Sequence, residues 1–346
     1  MKVVIMMLCG LISWAGAETL RFKDRDPQRY QFQKRASELD AAVKSYPDIG
    51  FVLEDDKGKA QDTQFASVDT GVEPRGRLVI WLMGHNGGLA KELNAMGLHY
   101  LQVAYARQWF GKLSQGKKLT RQSRGNIRLE AATGEDHSDE LDIAAPDSAK
   151  VRAYHMVKWL AEENPQGGWS YFLSRDGKDL DWEKVILSGI SHGSTVAARW
   201  AKHTKVARVV AFSGPRDQMQ DWQKLPSATP EERYFGFTHI LDDGWKADHY
   251  CRSWELLGMN EFGPIVNVEN ATPPYGNTRR LITDYDVSGN SGWAHSAVIP
   301  HKKSLKTADG SYGHAAVWRY LFTHPVTETG SPVDPDDECL KDHWKK

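Results

Sequence analysis

The sequence predicts an α/β fold in which a mostly parallel central sheet carries helices on both faces. Apolar runs at residues 78–83, 98–105 and 206–212 have the length and composition of buried strands. Segments of helical character separate these runs, and most of the connections between them are short. Parallel strands require such crossover connections, so the alternation of the two element types predicts a parallel sheet.

The individual elements are assigned from apolar runs, helical periodicity and turn residues. The predicted strands cover residues 78–83, 98–105, 185–190, 206–212, 234–241 and 279–284. The predicted helices cover residues 30–43, 89–96, 148–163, 249–257 and 315–322, and a further helix follows the third strand directly. No internal repeat or heptad pattern interrupts this order, so residues 18–346 are interpreted as one domain.

Length, composition and charge restrict the class of protein. The chain has 346 residues, of which 40% are hydrophobic, and this is enough for one large domain with a sizeable core. Its formal net charge of -1 argues against nucleic acid or an anionic membrane as the main partner.

The first residues have the composition of a secretory signal peptide. Lys2 precedes an apolar run at residues 3–14, and the small residues Ala15, Gly16 and Ala17 follow. We therefore expect cleavage after Ala17 and export to the periplasm or the extracellular space. The apolar run is too short to span a bilayer comfortably, so no membrane span is expected.

Removal of residues 1–17 leaves two cysteines, Cys251 and Cys339. In an exported protein they are expected to form one structural disulfide that fixes the polar C-terminal segment to the body. The alternative is two unrelated thiols.

A polar insertion at about residues 107–147 interrupts the alternation of strands and helices. Long insertions at the carboxyl edge of a sheet often cover an active site, so this one is a candidate lid. A solvated excursion without a role in function is the alternative.

The segment after the third predicted strand carries the chemistry. Gly189-Ile190-Ser191-His192-Gly193 is a G-x-S-x-G motif between a strand and a helix, the context of a nucleophile elbow. There the turn projects a serine hydroxyl above the sheet, and glycines two residues away avoid collisions. Ser191 is therefore the candidate nucleophile, and the backbone N–H of His192 is a candidate oxyanion donor at the helix N-terminus.

The strand, loop, elbow serine, acid and histidine in this chain order resemble the α/β-hydrolase superfamily. The resemblance covers about residues 78–322, through the segments LVIWLMGHNGG, GISHGSTVAA, RVVAFSGPRDQ, FTHILDD and WAHSAVIP. Within that superfamily the chain is similar to a poorly characterised branch of exported bacterial lipase/esterase-like serine hydrolases. This branch indicates no particular substrate.

The resemblance implies a base and an acid for Ser191. His295 follows the last predicted strand in a Gly/Asn/Ser-rich loop, where the superfamily places its base, and His301 and His314 are the competitors. Asp242 follows the preceding strand and is the expected acid. Asp243 takes that role if the strand runs one residue further.

The sequence also offers a third candidate acid and candidates for the second oxyanion donor. Asp217, after an earlier strand, is a third choice of acid. The loop after the first strand is expected to give the second oxyanion N–H, from His85 or, failing that, Asn86. The family's histidine before the glycine is Met83 here. No ligand spacing accompanies His85 or His192, so neither a metal nor another cofactor is expected.

These residues predict an exported serine hydrolase that cleaves a small-molecule or polymer-linked ester through an acyl-enzyme. A serine peptidase of the same fold is the first alternative, since the same triad cleaves amides. A non-catalytic binding protein of this fold is the second. The sequence does not indicate an oligomeric state.

Overall fold

The structure is a computed structural model that describes residues 19–113, 119, 121–217, 221–246 and 249–341. The predicted signal peptide, residues 1–17, lies outside the described residues, so its interpretation stays a prediction.

One nine-stranded sheet organises the described residues. Its strands are β1 (Arg29–Arg35), β2 (Thr63–Asp69), β3 (Leu78–Trp81), β4 (His99–Gln102), β5 (Val185–Ile190), β6 (Arg208–Phe212), β7 (Tyr234–His239), β8 (Ile265–Asn267) and β9 (Arg280–Thr283). The strand order is β1-β2-β4-β3-β5-β6-β7-β9-β8. The β1–β2 and β2–β4 pairs are antiparallel and all other pairs are parallel. The predicted fold class is therefore confirmed.

Helices cover both faces of the sheet. They are α1 (Ala36–Leu39), α2 (Gly87–Ala95), α3 (Trp109–Leu113), α4 (Arg121–Thr133), α5 (Ala149–Glu163), α6 (His192–His203), α7 (Asp243–Lys246), α8 (His249–Leu256), α9 (Ser291–Ala297), α10 (Ala315–Thr323) and α11 (Asp337–Leu340). Helices α4, α5, α6 and α8 contribute to the core on one face. Helices α2 and α10 contribute to the core on the other face.

The predicted helix at residues 30–43 is wrong. Residues Arg29–Arg35 form β1, and only the short α1 follows. Tyr30 and Phe32 are partly buried while Gln31 and Gln33 are exposed, so the apolar side chains alternate with the period of a strand. Two further strands, β2 and β8, are absent from the sequence prediction.

The described part of the insertion packs against helices α5 and α6. Helix α4 contacts both α5 and α6. Its residues Ile127, Leu129 and Ala131 are buried in the core shared with those helices. Residues 114–118 and 120 of the insertion lie outside the described residues. A lid function for this segment stays a prediction.

Within these described ranges, no helix is both long enough and apolar enough to cross a membrane.

A disulfide joins Cys251 in α8 to Cys339 in α11, with the two Cα atoms 5.4 Å apart. The bond spans 88 residues of sequence and both cysteines are buried. It holds the C-terminal segment against α8, as the sequence analysis expected for an exported chain.

Removal of this bond is expected to lower the free energy of unfolding. Closing a long loop restricts the unfolded chain, and loss of a native disulfide typically costs about 2–5 kcal/mol. We expect Cys251→Ser/Cys339→Ser to lose stability in this range, measured by urea denaturation. Peptide mapping of the unreduced wild-type chain after alkylation provides the control, because alkylated Cys251 or Cys339 in that sample contradicts the bond.

Candidate active site

The backbone at Ser191 has the strained geometry of a nucleophile elbow. Strand β5 ends at Ile190, α6 begins at His192, and Ser191 between them has φ 57° and ψ -119°. Non-glycine residues rarely occupy this region, and doing so costs about 1–3 kcal/mol. A β-carbon at Gly189 would lie 2.4 Å from the Gly193 carbonyl carbon, and one at Gly193 would lie 2.6 Å from the Leu82 oxygen. Both glycines are therefore required by close backbone approach.

Hydrogen bonds hold the main chain of Ser191 and leave its hydroxyl free. The Ser191 N–H donates to the Phe212 carbonyl at 3.0 Å, and its carbonyl accepts from the hydroxyls of Ser194 at 2.7 Å and Thr195 at 3.0 Å. Ser191 Oγ forms no hydrogen bond with another described residue, His295 included. The hydroxyl is thus positioned by the backbone alone.

Asp242 and His295 form a close pair. His295 Nδ1 lies 2.6 Å from Asp242 Oδ2, and Asp242 is only 1% exposed. Because an ionised carboxylate only accepts, the ring donates from Nδ1, which leaves Nε2 of the neutral ring as the free acceptor. Burial by itself raises the pKa of Asp242, but the hydrogen bonds from His295 and the Gly244 N–H, together with nearby positive charge that includes Arg216, hold this pKa below its ordinary value.

The turn after β7 fixes the direction of Asp242. His239 accepts from the Leu241 N–H through Nδ1 at 3.0 Å and donates from Nε2 to the Tyr285 carbonyl at 2.8 Å. Asp242 Oδ1 in turn accepts from the Gly244 N–H at 2.9 Å and from the Tyr250 hydroxyl at 3.1 Å. One carboxylate oxygen is therefore occupied by these donors while the other faces the imidazole.

His295 is anchored beside the elbow through Ser213. It lies in α9, not in the predicted loop, because the Asn290 side chain caps that helix by accepting from the Trp293 N–H at 3.0 Å. The Ser213 hydroxyl donates to the His295 carbonyl at 2.8 Å. Ser213 follows β6, the strand paired with β5, so the His295 backbone is held one strand away from Ser191.

The alternative acids do not contact His295. Asp243 is the exposed first residue of α7. Asp217 forms a buried bidentate pair with Arg128, with distances of 2.5 and 3.0 Å.

The competing bases have other partners. His314 Nε2 lies 2.9 Å from Glu269 Oε1, and His301 Nδ1 accepts from the Lys303 N–H at 3.3 Å. The structure therefore brings Asp242 and His295 together and keeps His301 and His314 in separate contacts.

The first oxyanion candidate is His192, and His85 and Asn86 are the alternatives for the second. His192 is the first residue of α6, where the backbone N–H has no acceptor within the helix. The His85 ring stacks on Phe65 with centroids 4.1 Å apart, while the Asn86 N–H donates to the Tyr100 hydroxyl at 3.3 Å. Because the backbone N–H of Asn86 already donates to Tyr100, His85 is a better candidate than Asn86 for the second oxyanion donor.

Met83, which stands where the family has its histidine, lies against the elbow. A β-carbon at Gly193 would lie 2.6 Å from Met83 Cγ, so the residue after Leu82 lies directly against the elbow. The sequence prediction placed Met83 at the end of a strand, but β3 ends at Trp81, so Met83 lies in the loop beside the elbow.

A residue that the sequence analysis missed, Arg128, lies behind the elbow. Its Nη1 donates to His192 Nδ1 at 2.9 Å, while its guanidinium binds Asp217. Burial lowers the pKa of His192 well below its ordinary value, and the Arg128 charge adds to this shift. His192 is therefore neutral and carries its proton on Nε2. No local pattern identifies Arg128, because it is 64 residues from His192.

The sheet order and the elbow define the class of fold. A mostly parallel sheet with an antiparallel edge, a strained serine after β5, an acid after β7 and a histidine after β9 are the α/β-hydrolase architecture.

No family model and no curated protein matches the chain. Solved structures with a similar arrangement include a serine hydrolase without a lid from Xanthomonas campestris. It is 14% identical in sequence, and the match covers 52% of this chain and 67% of that chain with a TM-score of 0.28. A putative dienelactone hydrolase from Klebsiella pneumoniae has 10% identity, coverage of 85% and 96%, and a TM-score of 0.37. Esterase B from Lactobacillus rhamnosis has 11% identity, coverage of 88% and 86%, and a TM-score of 0.34.

Asp242 and its neighbour Asp243 form a matched pair for mutation. Asp242→Asn is expected to lower kcat on an ester by about 10⁴-fold, because an amide cannot hold the imidazole tautomer or stabilise its charge. Asp243→Asn should stay within about tenfold of wild type, since its exposed carboxylate does not contact His295. Steady-state kinetics measures kcat for both variants, and melting temperatures show whether each variant is folded. A dead Asp243→Asn with an active Asp242→Asn contradicts the assignment.

Removal of the Arg128 guanidinium leaves Asp217 as a buried, unpaired charge. We expect Arg128→Met to lower the free energy of unfolding by about 3–5 kcal/mol. Adding Asp217→Asn removes that charge and should recover part of the loss. Chemical denaturation of both variants provides the measurement, and an Arg128→Met single variant within about 1 kcal/mol of wild type contradicts the argument.

Proposed function

We propose that this protein is an exported serine hydrolase that cleaves a carboxylic ester by a Ser-His-Asp acyl-enzyme mechanism. The buried Asp242–His295 pair, anchored one strand away from the elbow serine, is the observation that carries the proposal. The proposal of export is supported by the leader-like composition of residues 1–17 and by the disulfide.

The first half-reaction forms an acyl-enzyme. Ser191 Oγ attacks the ester carbonyl carbon while His295 Nε2 takes the hydroxyl proton, and Asp242 stabilises the resulting imidazolium. The tetrahedral oxyanion accepts hydrogen bonds from the backbone N–H groups of His192 and His85. Collapse of this intermediate breaks the ester bond, and His295 gives its proton to the leaving alcohol.

The second half-reaction releases the acid. Water attacks the acyl carbon, and His295 Nε2 takes its proton. The bond to Ser191 Oγ breaks, the proton returns to that oxygen, and the carboxylic acid leaves. No external co-reactant other than water is required.

Electrostatics around the base agree with this assignment. The Asp242 carboxylate is ionised, buried and directed at the imidazole, so a positive ring is stabilised at the moment of proton transfer. The Nε2 atom of His295 is left for the proton of Ser191, because Nδ1 is used by Asp242. Ser191 and His295 are not hydrogen-bonded in this structure, and catalytic contacts of this kind commonly tighten when substrate binds.

Ser191→Ala tests the proposal most directly. It should remove ester turnover by at least about 10³-fold, because members of a triad act together. A fluorophosphonate probe should label wild type but not Ser191→Ala. Ser170→Ala, which alters an exposed serine outside the site, is the matched control and should label normally.

Two substrate series distinguish the alternatives. Turnover of p-nitrophenyl esters of increasing acyl length, with little turnover of peptide p-nitroanilides, supports the esterase. The reverse preference indicates a peptidase. If the protein shows no turnover and is not labelled by the probe, it is a binding protein of this fold.

A further inference from the structure

Three metal-ligating side chains converge at a place the catalytic proposal does not use. Glu135 and His137 lie in the segment after α4, and His203 is the last residue of α6. Glu135 Oε2 is 3.4 Å from His137 Nε2 and 3.2 Å from His203 Nε2. The three ligand atoms all lie within 4.8 Å of one another.

These distances match the edges of a coordination tetrahedron. Metal–ligand bonds of about 2.0–2.2 Å in a tetrahedral zinc site place neighbouring ligand atoms about 3.3–3.6 Å apart. The two measured distances are close to that range. Neither pair has the alignment of a hydrogen bond, although both lie within hydrogen-bonding distance.

His137 provides an independent observation. Its Nε2 atom is shielded from solvent and makes no hydrogen bond with the described residues, although it faces the Glu135 carboxylate. The contact with Glu135 is therefore electrostatic, and an ion held between the two side chains would give this shielded nitrogen a directed partner. A cation between the three side chains would satisfy this nitrogen.

We propose that Glu135, His137 and His203 bind a divalent transition-metal ion, with zinc as the best fit. Two imidazoles and one carboxylate form a known three-ligand set for zinc, and water completes the tetrahedron. Lys150 Nζ lies 3.7 Å from Glu135 Oε1, the other carboxylate oxygen, so it does not occupy the ligand atom.

This ion site is separate from the catalytic residues and goes beyond the proposed function. His203 is 12 residues after Ser191 along α6, which corresponds to about 18 Å of helix. The ion is therefore too distant to contact the nucleophile. It fastens the segment after α4 to the far end of the helix that begins at the elbow. Sequence analysis does not detect this set, because His203 is remote from Glu135 and His137 in the chain.

Zinc binding by the tag-free full chain tests the proposal. After dialysis against a chelator, titration with Zn²⁺ under non-reducing conditions should give one ion per chain. The same protein loaded with Co²⁺ should show the visible absorption of a four-coordinate ion. Non-reducing conditions matter because the bonded sulfurs of Cys251 and Cys339 are then excluded as ligands.

Two variants and one control assign the site. His203→Ala and Glu135→Gln should each weaken zinc binding by at least about tenfold, because each removes a ligand. His155→Ala is the matched control: it removes a surface histidine paired with Asp40 at 3.4 Å, outside the cluster, and should bind like wild type. Metal-free melting temperatures of all variants should match wild type, since Glu135 and His203 are exposed.

Either of two results overturns the proposal. One is the absence of stoichiometric zinc binding by the folded wild-type chain. The other is unchanged zinc affinity in both His203→Ala and Glu135→Gln. Ester turnover is measured separately, so loss of the metal proposal leaves the catalytic proposal intact, and the reverse also holds.

Discussion

The strained turn at Ser191 is the constraint on which the site depends. Its backbone angles cost free energy, so the surrounding structure must hold them in place. Gly189 and Gly193 allow the main chain of α6 to approach β5 and the end of β3. A larger residue at either position would move the helix away from the sheet. The position of the serine hydroxyl, and of the backbone N–H at the helix start, is thus fixed by close packing.

Behind that turn, a buried charged network joins the insertion to the elbow. Arg128 on α4 binds Asp217 after β6 and also the ring of His192, which follows the serine. Trp109 and Phe110 pack against the same ring, with centroids 5.3 Å away in both cases. A displacement of α4 would therefore leave a carboxylate and an arginine unpaired in the core, which is unfavourable. This network makes the insertion a support for the site.

The sequence predicted the features that depend on local patterns. Continuous apolar runs identified the central strands, and the glycine spacing around Ser191 identified the elbow. Features that depend on distant partners were missed. The β1 strand was predicted as a helix because only two apolar residues, Tyr30 and Phe32, mark its alternation, and its pairing with β2 is not visible in either segment alone. Arg128 and Asp217 are 89 residues apart, so only the fold brings them together.

Sequence spacing alone does not show which of the two adjacent carboxylates, Asp242 or Asp243, contacts His295, but the fold does. Adjacent carboxylates after a strand are equivalent in the sequence, and one residue of register exchanges their directions. The turn ends that equivalence, because His239 holds the turn and Gly244 and Tyr250 donate to one oxygen of Asp242. Burial then favours the residue whose charge has partners, since an unpaired buried carboxylate is costly. Asp242 has those partners, and its remaining oxygen faces the imidazole.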